Sequence, residues 1–214
     1  MINAVIMASG FARRMGANKL LLNYKGCSII EHVFREVSKI DFHQVVVVSQ
    51  YEEVLLLCNK YGFEYIDNKN ANIGQSESIK LGVLNSSKCN GYMFFVGDQP
   101  FIDNLYIDKI INTFKLDRDF IVIPRYKDMC GNPVIFPYSK KEELLALKED
   151  EKGKTILKNS SKIKYVEVPK EMLFDIDTKW IMRELGVNYE ANKNYRCCWT
   201  SFMSRHNSNN TWRI

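Results

Sequence analysis

Ala4-Val5-Ile6-Met7-Ala8-Ser9-Gly10-Phe11-Ala12-Arg13-Arg14-Met15-Gly16-Ala17-Asn18-Lys19-Leu20-Leu21-Leu22 is the stretch that decides how this chain is read. It opens with four apolar residues, the length of a buried strand. Small residues follow at Ala8, Ser9 and Gly10, where a ligand can approach the backbone closely. Arg14 and Lys19 come next, with Gly16 between them. A strand that ends in a small-residue loop presents unpaired N–H groups, which hold anions. The two cations extend such a loop into a polyphosphate clamp.

Outward from this stretch, apolar and amphipathic segments alternate. Ser28 to Glu31 has the spacing of a capping box, opening a helix with apolar residues at 29, 30, 33, 34 and 37. Val45–Val48 is a buried strand, Glu52–Tyr61 a helix and Phe63–Ile66 a short strand. Asp67–Gly74 is a polar loop, Ser76–Leu84 a helix and Tyr92–Val96 a central strand. Leu105–Phe114 is a helix and Phe120–Ile123 a strand. The alternation predicts an open, mostly parallel α/β sheet. Ligands of such sheets sit at the carboxyl ends of the strands, so the loop at 8–10 and Asp98 can face one crevice. Asn132–Phe136 follows as a strand that Pro133 confines to an edge or to a strand start. Lys140–Leu147 is an amphipathic helix and Ile163–Val168 a strand. Gly153-Lys154-Thr155 has the tail of a P-loop, but position 148 is Lys where a P-loop needs Gly, and that reading is rejected.

The 214 residues suit one domain. No apolar run has the length of a membrane span, and the charged leader of a signal peptide is not seen at the N-terminus. The six cysteines form no C-x-x-C pair, which fits a reducing cytoplasm better than a zinc site or disulfide scaffold. Of the net charge of +5, residues 188–214 carry +3, from Lys193, Arg196, Arg205 and Arg213 against Glu190, leaving +2 on the body. That is not the concentrated basic stripe of a nucleic-acid binder. The expected organisation is a domain over 1–187 followed by an atypical tail, 188–214, outside the core.

Three further constellations carry chemistry. Gly97-Asp98-Gln99-Pro100 closes an apolar strand, and a carboxylate there suits a hard cation that also binds phosphate oxygens; as a bland alternative, Asp98 caps the next turn. Asp175-Ile176-Asp177 places two carboxylates on one face of an extended segment, or else Asp177 caps a helix. Gly74-Gln75-Ser76-Glu77-Ser78 opens a helix beside the crevice, with Ser76 suited to its N-cap and donors for a ribose, base or phosphate. His32 and His43 have no ligand spacing.

The opening stretch resembles the MobA-like nucleotidyltransferases, whose motif runs L-A-A-G-x-S-x-R-M-G-x-x-K-x-L-L. Met7-Ala8-Ser9-Gly10, Arg14-Met15-Gly16, Lys19 and Leu21-Leu22 fall at its positions, with Met7 for Leu, Ser9 for the second Ala and Ala12 for Ser as departures. The resemblance spans about residues 2–182. It implies a Rossmann-like, three-layer, mostly parallel sheet of the nucleotide-diphospho-sugar (GT-A-like) transferase type. It implies that Met7, Ala8, Ser9 and Gly10 hold a nucleotide whose triphosphate Arg14 and Lys19 grip. By the same resemblance Asp98, in G-D-Q-P, binds Mg²⁺ and Asp177, in D-I-D-T, completes that site. Asn68, Gly74, Ser76 and Ser78 lie around the base and sugar, and Gly131-Asn132-Pro133 places Asn132 and Pro133 on the acceptor side. Arg14, Lys19 and Asp98 are then the catalytic set. In the family A-A-G loops go with cytidine transfer and A-G-G loops with guanosine transfer, and Ala8-Ser9-Gly10 is nearer the first. The expectation is therefore a cytoplasmic molybdenum cofactor cytidylyltransferase joining CTP to molybdopterin. Two alternatives stand beside it. One is another cytidylyl or sugar-phosphate nucleotidyltransferase. The other is a non-catalytic accessory protein serving a molybdenum hydroxylase, which would have no need of Asp98 and Asp177.

Overall fold

The computed structural model describes residues 1–10, 18–149 and 151–176. Its strands are β1 (Ile2–Met7), β2 (Asn23–Tyr24), β3 (Cys27–Ser28), β4 (Gln44–Ser49), β5 (Glu64–Asp67), β6 (Gly91–Val96), β7 (Ile121–Tyr126), β8 (Met129–Cys130), β9 (Val134–Pro137) and β10 (Ile163–Glu167). Its α-helices are α1 (Ile29–Val37), α2 (Glu52–Tyr61), α3 (Gln75–Leu84), α4 (Asn104–Leu116), α5 (Lys141–Leu145) and α6 (Gly153–Lys158).

β1 lies in mid-sheet, in the order β10-β7-β9-β6-β1-β4-β5, with β8 paired to β7. It runs parallel to β4 and β6, with Val5 opposite both Val46 and Phe94. Alternating side chains of one strand feed opposite faces. Ala4 and Ile6 join Val33, Phe34, Val54, Ile107 and Phe114 on the face covered by α1, α2 and α4. Val5 and Met7 join Ile79, Val83, Leu144 and Ile156 under α3, α5 and α6. Both faces are buried, so β1 is apolar along its length, as parallel strands covered on both sides are. The result is the expected three-layer, mostly parallel α/β sheet.

Two expectations need correction, and for the Pro133 strand the second of the two places offered, a strand start rather than an edge, is the one found: β9 begins at Val134 and runs antiparallel between β6 and β7. Pro133 precedes its first ladder residue, so it takes no donor from the sheet. Ser28 precedes α1 but makes no capping bond with its side chain. The Glu31 carboxylate instead meets Lys60 and Tyr61 of α2 at 2.6 and 3.0 Å. Ser76 does not cap α3; Gly74 does, at φ 121°, a backbone region that disfavours side chains.

Gly153-Lys154-Thr155 forms the first turn of α6. Among the described residues no helix is long and apolar enough to cross a membrane. The tail 188–214, and the domain boundary drawn before it, lie outside the described residues.

Candidate active site

β1 turns to β4 on one side, while β6 joins it on the other, so the strand order reverses between β1 and β6. Crevices form outside the carboxyl ends of the strands at such a reversal. Here it is a cleft of about 470 Å³, walled by Met7, Ala8, Ser9 and Gly10 after β1 and by Gly97 and Asp98 after β6. Lys19, Gly74, Ser78 and Asn132 also line it. Nine of the site residues singled out from sequence, spread over 126 positions, thus meet in one place.

Local packing explains how they arrive. Asn18 accepts a bond from Leu20 N–H and opens a single 3-10 turn, Lys19–Leu21. Leu20 is buried, and Lys19 reaches back to Asp98, its Nζ 2.6 Å from Oδ2. Gly97 permits that approach: a Cβ there would stand 2.7 Å from Ile30 Cδ1 and 3.3 Å from Leu20 Cδ2. Asp98 does not cap the following turn through its side chain; its carboxylate takes the Lys19 ammonium, both side chains remaining partly exposed, at 23% and 17%.

Asp175 enters the cleft. Ile176 N–H donates to the Asp98 carbonyl at 2.9 Å. Gln99, 3% exposed, donates its side-chain amide to Asp175 Oδ1. These two links stitch the segment after β10 to the loop after β6, so a second carboxylate faces the space beside Asp98. No three His, Cys, Asp or Glu among the described residues form a ready-made metal cluster. Two carboxylates without a full protein cage are the donor set a Mg²⁺ ion takes when phosphate oxygens supply the rest. The residues present therefore fit a phosphate-bound divalent cation. Arg14 and Asp177 lie outside the described residues.

Some expected residues sit behind the cleft wall. Asn68 is fully buried, donates to Ser78 Oγ at 3.2 Å and accepts from Asn70 N–H. It shapes the loop that presents Gly74 and Ser78. Ser76 is fully buried with no partner for its hydroxyl among the described residues. Pro133 is buried behind Asn132. The cleft also takes residues that the sequence reading passed over: Gln75, Ala71 and Lys152. Lys152 lies between three acidic residues and a glycine in a polar run, and only the fold brings it here. A second recess of about 390 Å³ shares Met7, Gln75, Asn132 and Lys152 with the first, so the two open into each other. Its lining includes Phe94, Ile123 and Phe136, with Lys154 beside Lys152.

Comparison with known proteins agrees with this geometry. Residues 4–165 match the MobA-like NTP transferase domain. A probable molybdenum cofactor guanylyltransferase of Natranaerobius thermophilus is 34% identical over 125 residues, covering 58% of this chain and 60% of that protein. The chain thus spans less than two thirds of that relative. One of Thermococcus sibiricus is 24% identical over 190 residues, covering 85% and 95%. Among solved structures, Rv0371c from Mycobacterium tuberculosis superposes with a TM-score of 0.73 at 22% identity, covering 86% of this chain and 96% of that one. The same protein has been solved in complex with manganese.

These relatives correct the cytidylyltransferase expectation. Five of them carry the name molybdenum cofactor guanylyltransferase, so joining CTP to molybdopterin is not the activity the comparisons support. Ser9 borders the cleft but is only 6% exposed, and its hydroxyl donates to the Val48 carbonyl of β4 at 3.1 Å. With about three quarters of its length matched, over residues 4–165, the chain belongs to the MobA-like NTP transferase family and is a nucleotidyltransferase domain.

Proposed function

We propose that this domain transfers a guanylyl group from GTP to a phosphate-bearing small-molecule acceptor. An acceptor phosphate oxygen attacks the α-phosphorus of GTP. The bond from that phosphorus to the bridging oxygen breaks, and pyrophosphate leaves with the electron pair. An acceptor phosphate is already ionised near neutral pH, so the step needs no general base. Such reactions are accelerated by positioning and by charge neutralisation. The observation that carries the reading is the meeting of Lys19, Asp98 and Asp175 with the 7–10 loop in one cleft.

Each residue then has a task. The N–H groups of the loop and the cations Arg14 and Lys19 hold the triphosphate. Gly74, Gln75 and Ser78 form the wall for the nucleoside, shaped from behind by Asn68 and Ser76. Asp98 holds Mg²⁺ together with Asp175 or Asp177. Such an ion, when bound, would supply positive charge beside the triphosphate. Asn132, set by Pro133, and Lys152 face the acceptor. The relatives' names point to the molybdenum cofactor as the acceptor.

A second reading has its own support. The 3-deoxy-manno-octulosonate cytidylyltransferase of Rickettsia canadensis is 31% identical over 128 residues. On that reading the domain uses CTP and a sugar acid. Pyrophosphate release, measured with Mg²⁺ and either GTP plus molybdopterin or CTP plus the sugar acid, separates the two. Turnover confined to GTP supports guanylyl transfer, and turnover confined to CTP replaces it. Binding of GTP without pyrophosphate release would make the domain a carrier rather than an enzyme.

A further inference from the structure

Three consecutive carbonyls of the loop after β1 are each held by one of three consecutive side chains after β4. Ser49 Oγ donates to the Ala8 carbonyl at 3.0 Å, Gln50 Nε2 to the Ser9 carbonyl at 2.8 Å and Tyr51 Oη to the Gly10 carbonyl at 2.9 Å. The rungs follow directly from the strand ladder, in which Met7 stands opposite Val48 and Ala8 N–H donates to the Val48 carbonyl at 2.8 Å. β4 ends at Ser49, and pairing of backbone with backbone gives way to pairing of backbone with side chain. Ser49 is fully buried, and its hydroxyl also accepts from Tyr51 N–H at 3.1 Å, which sets the spacing of the last rung.

None of the three side chains lines the cleft, so they hold the loop from behind. In a planar trans peptide the N–H points opposite to the C=O of the preceding residue. Holding the Ala8 and Ser9 carbonyls toward Ser49 and Gln50 therefore turns the N–H groups of Ser9 and Gly10 away from that segment, to the side where the cleft opens. It also keeps two carbonyl dipoles from aiming their negative ends at a phosphate. A flexible small-residue loop would otherwise sample both orientations, since Gly10 has open space around its Cα.

We propose that Ser49, Gln50 and Tyr51 are positioning residues that orient the phosphate-holding loop through its carbonyls. This rests on the reading of residues 8–10 as that loop. The ladder acts on phosphate affinity rather than on base choice, because it sets N–H direction and touches no nucleoside wall.

The test uses the full chain and two probes with Mg²⁺, inorganic tripolyphosphate and GTP, each titrated calorimetrically well below the melting temperature. Tyr51→Phe removes one donor and keeps the ring; Gln50→Ala removes another; Gln50→Glu places a carboxylate against the Ser9 carbonyl. Loss of one neutral hydrogen bond should weaken both probes about three- to tenfold, with Gln50→Glu weaker again and the same factor for each probe. In turnover, the change should appear in KM for the nucleotide while kcat is retained. Affinity of Tyr51→Phe and Gln50→Ala equal to that of the unaltered chain overturns the proposal. So does a loss that merely follows the unfolded fraction seen in the melt. If the unaltered chain binds tripolyphosphate but not GTP, the guanylyl reading fails and this one stands. If it binds neither, the loop holds no phosphate and both fall.

Discussion

In the proposed reaction Asp98 is the residue on which catalysis would turn. Its carboxylate accepts the Lys19 ammonium at 2.6 Å, yet both side chains keep contact with water. An ion pair of that kind contributes little to stability, roughly 0–1 kcal/mol. Asp98→Asn keeps the shape and removes the charge. Turnover should fall by at least about a hundredfold, the scale of losing a group that stabilises transition-state charge. The melting temperature should move by less than about 4 °C. Both are measured on one preparation, and a destabilised but active variant would take Asp98 out of the site. Asp98 and Lys19 were legible in the sequence because each sits in a short motif, Asp98 just after β6 and Lys19 in the segment that follows β1. Asp175 was read only as support for Asp177, because its place beside Asp98 depends on Gln99, 76 residues away. Lys152 had no local signal.

Between elements, two contacts support the scaffold beneath the cleft. α3 approaches β1 at Gly82, where a Cβ would stand 2.3 Å from Val5 Cγ1. Alanine gains up to about 1 kcal/mol over glycine in a helix. Val5 is fully buried in a central strand and cannot turn aside, so overpacking of about 1–3 kcal/mol opposes that gain. Gly82→Ala should therefore lower the melting temperature, and a rise would mean that α3 can slide on the sheet. The second contact joins α1 to α2. Burial pushes the Glu31 carboxyl up. The bonds from Lys60 and Tyr61 and the charges of Lys60 and Arg35 pull it down, and they prevail. A carboxyl held below its unfolded value of about 4.3 stabilises the fold above that pH. The contribution fades as pH falls through the folded value. Glu31→Gln should melt lower than the unaltered chain at pH 7, and the gap should close in acid. A gap that does not change with pH would assign the loss to packing. The sequence reading took Glu31 as a capping residue, because i to i+3 spacing is visible in one dimension and a partner on the next helix is not.

At the scale of the molecule, β10 is the last strand among the described residues, and the core reaches Ile176, which packs with Leu22, Tyr24 and Ile29. Truncation after Gly186 should therefore leave a cooperative melt and nucleotide binding intact, checked by thermal unfolding with and without GTP and Mg²⁺. Loss of the transition would move the domain boundary toward the C-terminus. The sequence by itself determined the alternation of strands and helices, the buried character of β1, β4 and β6, and the motifs at the strand ends. These are patterns of period and spacing within a few residues, where local geometry and burial dictate residue type. Only the tertiary structure decided that β9 runs antiparallel in mid-sheet, that Asp175 and Lys152 join Asp98 in the cleft, and that the Ser9 hydroxyl bonds to β4. The Ser9 bond, the place of Asp175 and the pairing of β9 with β6 each join segments 39 or more residues apart, which hydrogen bonds and packing select once the chain has folded and which no short window of sequence contains.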